Sequence, residues 1–241
     1  GGGGAGGAIC AEPGAAGGSG IVIVKEPSSV ASAPGVWSMN TVYDFVKSGN
    51  WVTPPPPTIT LNTKGIFMAA GGGGTGAHPS GGGGGAGGLI LTPNSFSKNI
   101  TSSTPAGAIN ITVGAGGAGV TWLLEGGTGT DSVIGDSTET DFLIAKGGGF
   151  GGSVPGDSVA GGTGGSGGGR GGENGACGAG AAATQTGQSG DSGTYGFGNA
   201  GGGSCSPNRS AGGGGGAAAA GSPGPGGAGG AGGAGKDVTP V

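Results

Sequence analysis

The residues able to do chemistry are few, and their spacing groups them poorly. Gly230-Ala231-Gly232-Gly233-Ala234-Gly235-Lys236-Asp237 nearly spells a phosphate-binding loop. Such a loop cradles phosphates with backbone amides and needs a Ser or Thr hydroxyl on magnesium. Asp237 stands at that hydroxyl position and no strand leads in, so nucleotide binding is not expected. Gly126-Gly127-Thr128-Gly129-Thr130-Asp131-Ser132-Val133-Ile134 fits one calcium-binding nonapeptide of the parallel β-roll type. A single copy lacks the stacked second turn that completes the coordination. A polar loop between strands is therefore the stronger expectation. Asp131 and Asp136, with Glu139 and Asp141 nearby, are the weaker calcium candidates.

His78 is the sole histidine and sits beside Pro79 in a glycine loop, with no Cys or carboxylate at ligand spacing. It reads as a surface side chain. The serines have no second histidine and no oxyanion framework, so no nucleophilic catalysis is expected. The chain reads as a non-enzyme without a cofactor. Three cysteines are an odd number. Cys177 and Cys205 could pair inside the glycine-rich region, leaving Cys10 over, while independent thiols fit the sequence at least as well. Asn99, Asn110 and Asn208 open glycosylation sequons, which matter only in a chain secreted by a glycosylating cell.

Charge narrows the partners. Eight Lys and Arg against twelve Asp and Glu give a net charge of -4. That scatter forms no phosphate-tracking stripe, so nucleic acid is not an expected partner. No apolar run approaches the roughly 20 residues that span a bilayer, so membrane insertion is not expected. The sequence shows no signal peptide and begins inside a glycine run without Met, which reads as a piece of something longer or a processed product.

The elements that must position these residues are made of glycine, 74 of 241 residues. Within 221–235, Pro225, Ala228, Ala231 and Ala234 recur at every third position. Ala5 and Ala8, Ala115 and Ala118, Thr163 and Ser166 keep the same interval. A period of three belongs to the extended polyproline-II helix, not to α-helix or β-strand. That helix has no internal hydrogen bonds, so buried copies must pair with neighbouring backbones. Collagen needs an unbroken Gly-X-Y register, and runs such as 71–74, 81–85 and 212–216 break it. Disordered chains carry high charge and little apolar sequence. This one has 8% charged residues and apolar strands between its glycine runs. The expected fold is mainly irregular and β: a polyglycine-II helix bundle with a small β-structure and one short α-helical connector.

Three regions follow from the composition. Residues 1–27 read as the end of a glycine-rich module, closed by the β-branched run Ile21-Val22-Ile23-Val24-Lys25, whose continuity suits burial on both faces. Residues 28–57 read as a connector. A helix within 35–51 carries Val42, Phe45 and Val46 on one stripe, and Pro54 to Pro57 form a stiff spacer. Residues 58–241 read as a second, longer glycine-rich module with strands at 58–61, 66–70, 89–92, 109–113, 120–124 and 142–145. Its polar excursions, around Asp157, Asn174, Gln185 to Gln188, Tyr195 to Asn199 and Ser204 to Ser210, read as turns at the bundle ends.

The order Gly65-Ile66-Phe67-Met68-Ala69-Ala70-Gly71-Gly72, then Ile111-Thr112-Val113-Gly114-Ala115-Gly116, then Ile144-Ala145-Lys146-Gly147-Gly148 resembles the glycine-rich domains of phage tail fibres and virion structural proteins. The segment Gly18-Ser19-Gly20-Ile21-Val22-Ile23-Val24 is similar to the motif that closes those domains. Receptor kinases of the anaplastic lymphoma kinase type and collembolan antifreeze proteins are similar in using glycine-rich or polyglycine-II units. The resemblance implies an exposed fibre or adhesin on a virion. Its partners would be other copies or other virion or fibre proteins, and a host surface glycan or outer-membrane protein. Flat glycine faces offer few anchors, so receptor contact is expected at His78, Trp122, Tyr195, Phe197 and Arg209. The alternative is an extracellular filament or matrix protein of repeated modules. The closing strand sits ahead of the long module instead of after it, so it is expected to close either its own chain's module or a neighbouring copy's.

Overall fold

The computed structural model describes residues 15–24, 58–63, 66–76, 80–92, 96–101, 108–121, 124–136, 142–153, 160–172, 177–185, 196–205 and 209–237. Among these the chain is mostly irregular, with small antiparallel sheets and no helix. Strands β1 (Ile21–Val24), β3 (Ile66–Ala69), β4 (Leu89–Leu91) and β10 (Gly196–Phe197) form a four-stranded sheet in the order β1-β3-β4-β10. Strands β6 (Ile111–Thr112), β7 (Ser132–Ile134) and β8 (Leu143–Ala145) form a second sheet, and β2 (Thr58–Thr63) pairs with β5 (Phe96–Thr101). A short pair, β9 (Gly171–Gly172) with β11 (Ser210–Ala211), stands apart from these.

The glycine runs between the strands are tied sideways through their amides. In the run 70–76, the N–H groups of Ala70, Gly73 and Gly76 donate to the carbonyls of Gly88, Gly85 and Gly82. Those of Gly71 and Gly74 donate to Thr130 and Gly127, and those of Gly72 and Thr75 to Gly18 and Ala15. Successive residues thus address three different neighbours, and each neighbour is met again three residues later. The same rule holds elsewhere. Gly82, Gly85 and Gly88 donate to Gly152, Gly149 and Lys146, while Gly83 and Ala86 donate to Gly212 and Gly215. Residues 166–172 exchange amide bonds with six neighbouring runs: 81–88, 146–152, 161–165, 177–184, 198–204 and 210–216. Consecutive runs reverse direction along the chain.

Glycine is required wherever these backbones touch. A Cβ on Gly71 or Gly74 would overlap the carbonyl of Ala115 or Ala118, and one on Gly73 or Gly76 that of Gly149 or Gly152. By contrast, a Cβ on Gly229 or Gly235 would meet nothing, because the last run lies on the outside. The conventional core is confined to the sheet end of the array. It comprises Leu61, Ala70, Ile90, Ile100, Ile134, Leu143 and Ala145, with Val22 and Ile109 packed against it. Gly135 follows β7 with φ +99°, where its N–H donates to the Asn110 carbonyl. A left-handed conformation of that kind favours glycine.

Several expectations change. β1 is an edge strand with Ile21 47% exposed, so its β-branched continuity does not mark burial on both faces. It pairs with β3 of the same chain, Ile21 opposite Ala69 and Val24 opposite Ile66. The described part of residues 1–27 therefore shares one sheet with the module that begins at residue 58. No strand forms at residues 120, 121 and 124, where Leu124 is exposed, and the rest of that expected strand lies outside the described residues. The polar loop expected at 126–134 ends in β7, and β5 is a further strand the sequence reading omitted. The helical connector lies outside the described residues.

Gly74→Val is expected to lower stability by about 3 kcal/mol or more, since it overpacks one contact and separates amide pairs worth about 1 kcal/mol each. Gly229→Ala should change stability by less than about 1 kcal/mol, because it meets no neighbour and restricts the unfolded chain. Urea denaturation of both variants checks the contrast.

Candidate functional site

At the sheet end, polar side chains take over where the glycine runs begin. Gln185 is fully buried. Its Oε1 accepts from the Lys146 N–H at 2.7 Å, and its Nε2 donates to the Ile144 carbonyl at 3.3 Å. The side-chain amide thus stands in for a peptide group beside β8. Ser132 does similar work, its Oγ accepting from the Gly114 N–H and donating to the Ala69 carbonyl, each at 2.9 Å. Asp131 receives the Gly147 N–H at 2.8 Å on Oδ1 and pairs through Oδ2 with Lys146 Nζ at 2.9 Å. Both oxygens of this calcium candidate are therefore engaged within the chain. Asp136, just after β7, is half-buried and also has a partner. Among the described residues no three His, Cys, Asp or Glu gather as metal ligands.

Phe197, in β10, is half-buried, and Lys236 Nζ lies 5.0 Å from its ring centroid. Such a cation–π contact contributes about 0.5–1 kcal/mol at an exposed site. It ties the last run to the sheet end.

The opposite end is built differently. Cys177 and Cys205 form a disulfide across 28 residues of sequence. The guanidinium of Arg170 lies against Gly178, next to that bridge. Ser80, Ser153, Ser204 and Ser210 are all buried here. Ser204 and Gly178 exchange both backbone hydrogen bonds, at 3.1 and 2.9 Å. Arg209 is exposed just ahead of β11.

Two of the five expected receptor residues fall among the described residues, and they lie apart. Phe197 is at the sheet end and Arg209 at the far end, while His78, Trp122 and Tyr195 lie outside the described residues. Gln185, read from the sequence as part of a turn at a bundle end, is buried, and Lys146 and Ile144 offer the donor and acceptor its amide needs. The pairings of Asp131 with Lys146 and of Phe197 with Lys236 had no signal in local spacing, since they join residues from different runs. No described helix is long and apolar enough to cross a membrane.

The described residues thus form an array of glycine runs whose side-chain contacts gather mostly toward its ends. A family model described as "Glycine-rich domain" matches residues 47–239, and the chain belongs to that family. No curated protein and no solved structure matches the chain.

Gln185→Ala is expected to cost about 2–3 kcal/mol, since it leaves a buried N–H and carbonyl without partners. Gln185→Glu would bury a carboxylate against the Ile144 carbonyl, so at neutral pH it should cost at least as much; thermal unfolding of the two variants decides. Reducing the disulfide, or Cys205→Ser, should cost about 3.5 kcal/mol by the loop-closure relation, read from urea midpoints with and without reductant.

Proposed function

We propose that the glycine runs are polyglycine-II helices and that the bundle they form is a rigid structural or adhesive module of a bacteriophage fibre or virion surface protein. The observation that carries this reading is the threefold rotation of amide donors along each run. A helix with three residues per turn and no internal hydrogen bonds sends successive N–H groups about 120° apart. Strands in a sheet send them to two sides only. The bond pattern of residues 70–76, 81–88 and 166–172 fits the first geometry.

The functional part of the reading follows from what such a bundle leaves free. Its described lateral faces carry mostly glycine and alanine with short Thr, Ser and Pro side chains, which give a partner little to recognise. Runs that end at Gly76, Ser153, Gly172 and Cys205 direct their connections to the end away from the apolar core, where the disulfide braces the rim. Turns there can present side chains to a host surface glycan or outer-membrane protein, while other copies or fibre proteins hold the shaft. The virion is the corresponding location. The alternative is an extracellular filament. The pairing of β1 with β3 inside one chain favours a self-contained module over strand donation between copies.

The purified full chain, fluorescently labelled, is expected to adsorb saturably to some strains of a bacterial panel and not to others. Replacing residues 206–209 with glycine and serine should weaken adsorption at least tenfold while leaving the circular dichroism unchanged. Absence of adsorption across the panel, with filaments visible by electron microscopy, would overturn the adhesive reading in favour of a matrix role.

A further inference from the structure

We infer that the Cys177–Cys205 bridge is a redox latch: while closed it holds the start of run 177–184 over the Arg170 guanidinium, and a dithiol reductant releases it. Both cysteines are exposed, whereas Ser204, one residue inside the bridge, is buried. The sulfurs are thus open to attack from solvent in the folded chain. A reductant thiolate attacks one sulfur, breaks the S–S bond and forms a mixed disulfide. The reductant's second thiol then displaces the cysteine. Two electrons and two protons pass to the chain, leaving two Cys thiols and a cyclic disulfide of the reductant.

The two ends that the bridge joins are held differently. Run 198–204 is tied to other neighbours up to its last residue. The Gly202 carbonyl accepts from the Arg170 N–H, the Gly203 carbonyl accepts from the Gly224 N–H, and Ser204 Oγ donates to the Gly171 carbonyl. In run 177–184, Gly178 commits both its N–H and its carbonyl to Ser204, directly beside the bridge. The bonds from this run to runs 166–172 and 161–165 come from Ala181 and Thr184, further in. Cutting the bridge therefore leaves the Gly178–Ser204 pair as two neutral amide bonds at an exposed rim, where water competes for both. The start of run 177–184 is the part that lifts.

What it uncovers is a cation. A Cβ on Gly178 would stand 2.5 Å from Nη1, 2.6 Å from Cζ and 2.8 Å from Nε of Arg170, so the bare glycine lies directly against the guanidinium. Arg170 is half-buried, while Arg209, the other arginine, is exposed. The Arg170 backbone does not depend on the latch, because its N–H and carbonyl engage Gly202 and Gly212. Reduction thus adds a fixed positive charge to the far end without moving the shaft. This inference does not require the adhesive reading.

The full chain, treated with dithiothreitol in native buffer, tests it. The bridge is expected to open without denaturant. The Gly178 and Ser204 amides should then exchange at least tenfold faster, while Gly73 and Gly169, which donate to Gly85 and Gly83, keep their protection. Phenylglyoxal should modify Arg170 at least tenfold faster after reduction, with Arg209 as the exposed reference. Combining Cys177→Ser with Cys205→Ser should reproduce both changes without reductant, and reoxidation of the unmodified chain should reverse them. A bridge that dithiothreitol cannot reduce in the folded chain overturns the latch. Reduction that leaves Gly178 and Arg170 unchanged also overturns it and makes the bridge a passive brace. Reduction that frees Gly73 and Gly169 together with Gly178 overturns it as global unfolding. None of these readouts uses adsorption, so failure of the adhesive reading is distinguished from failure of the latch.

Discussion

Everything in this molecule depends on backbones lying close enough to exchange amide hydrogen bonds sideways. Each such bond contributes only about 1 kcal/mol net, so the array is stable through repetition, not through any single contact. The same closeness dictates the composition. A methyl group at Gly71, Gly84 or Gly148 would stand inside a neighbouring backbone, so at such contacts the interior tolerates no side chain. A few hydroxyl and amide side chains enter among the runs as well. Ser132, Gln185 and Ser166 there supply hydrogen bonds that a backbone would otherwise provide.

An array of this kind has no preferred register of its own, because every glycine run presents much the same surface. The apolar end resolves that ambiguity. Strands β1, β3, β4, β7 and β8 each continue into a run or receive one, and their ladders fix which residues stand opposite each other. Ile90, Ile100, Ile134 and Leu143 then bury the side chains that a sheet alternates to its inner face. A slip of one residue would turn those side chains outward. The core is small, but it converts many equivalent pairings into one.

Much of the scheme was legible in the sequence, and the missing parts share a cause. The alanines spaced by three were visible, and the structure puts Ala115, Ala118, Ala228, Ala231 and Ala234 on exposed faces, where a methyl group meets no backbone. Apolar strands such as β3, β4 and β8 were also apparent. β7 was not, because Ser132-Val133-Ile134 is too short to stand out from the polar loop before it. Residues 120, 121 and 124 looked like parts of a strand on propensity alone, yet strand formation needs a ladder partner that local sequence cannot supply. The end-site contacts were least legible. Asp131 with Lys146, Gln185 with Ile144, and Phe197 with Lys236 each join runs that are remote in the chain. Only the lateral order of the runs brings them together.

The exclusion of side chains from the shaft also decides where recognition can occur. A binding site needs several side chains converging on one point, and a face of glycine and alanine cannot provide them. The two ends can, but they are not equivalent. The sheet end commits its polar groups inward: Gln185, Ser132 and Asp131 all complete the backbone array. At the far end the disulfide and the buried serines hold the rim, while Arg209 stays exposed beside it.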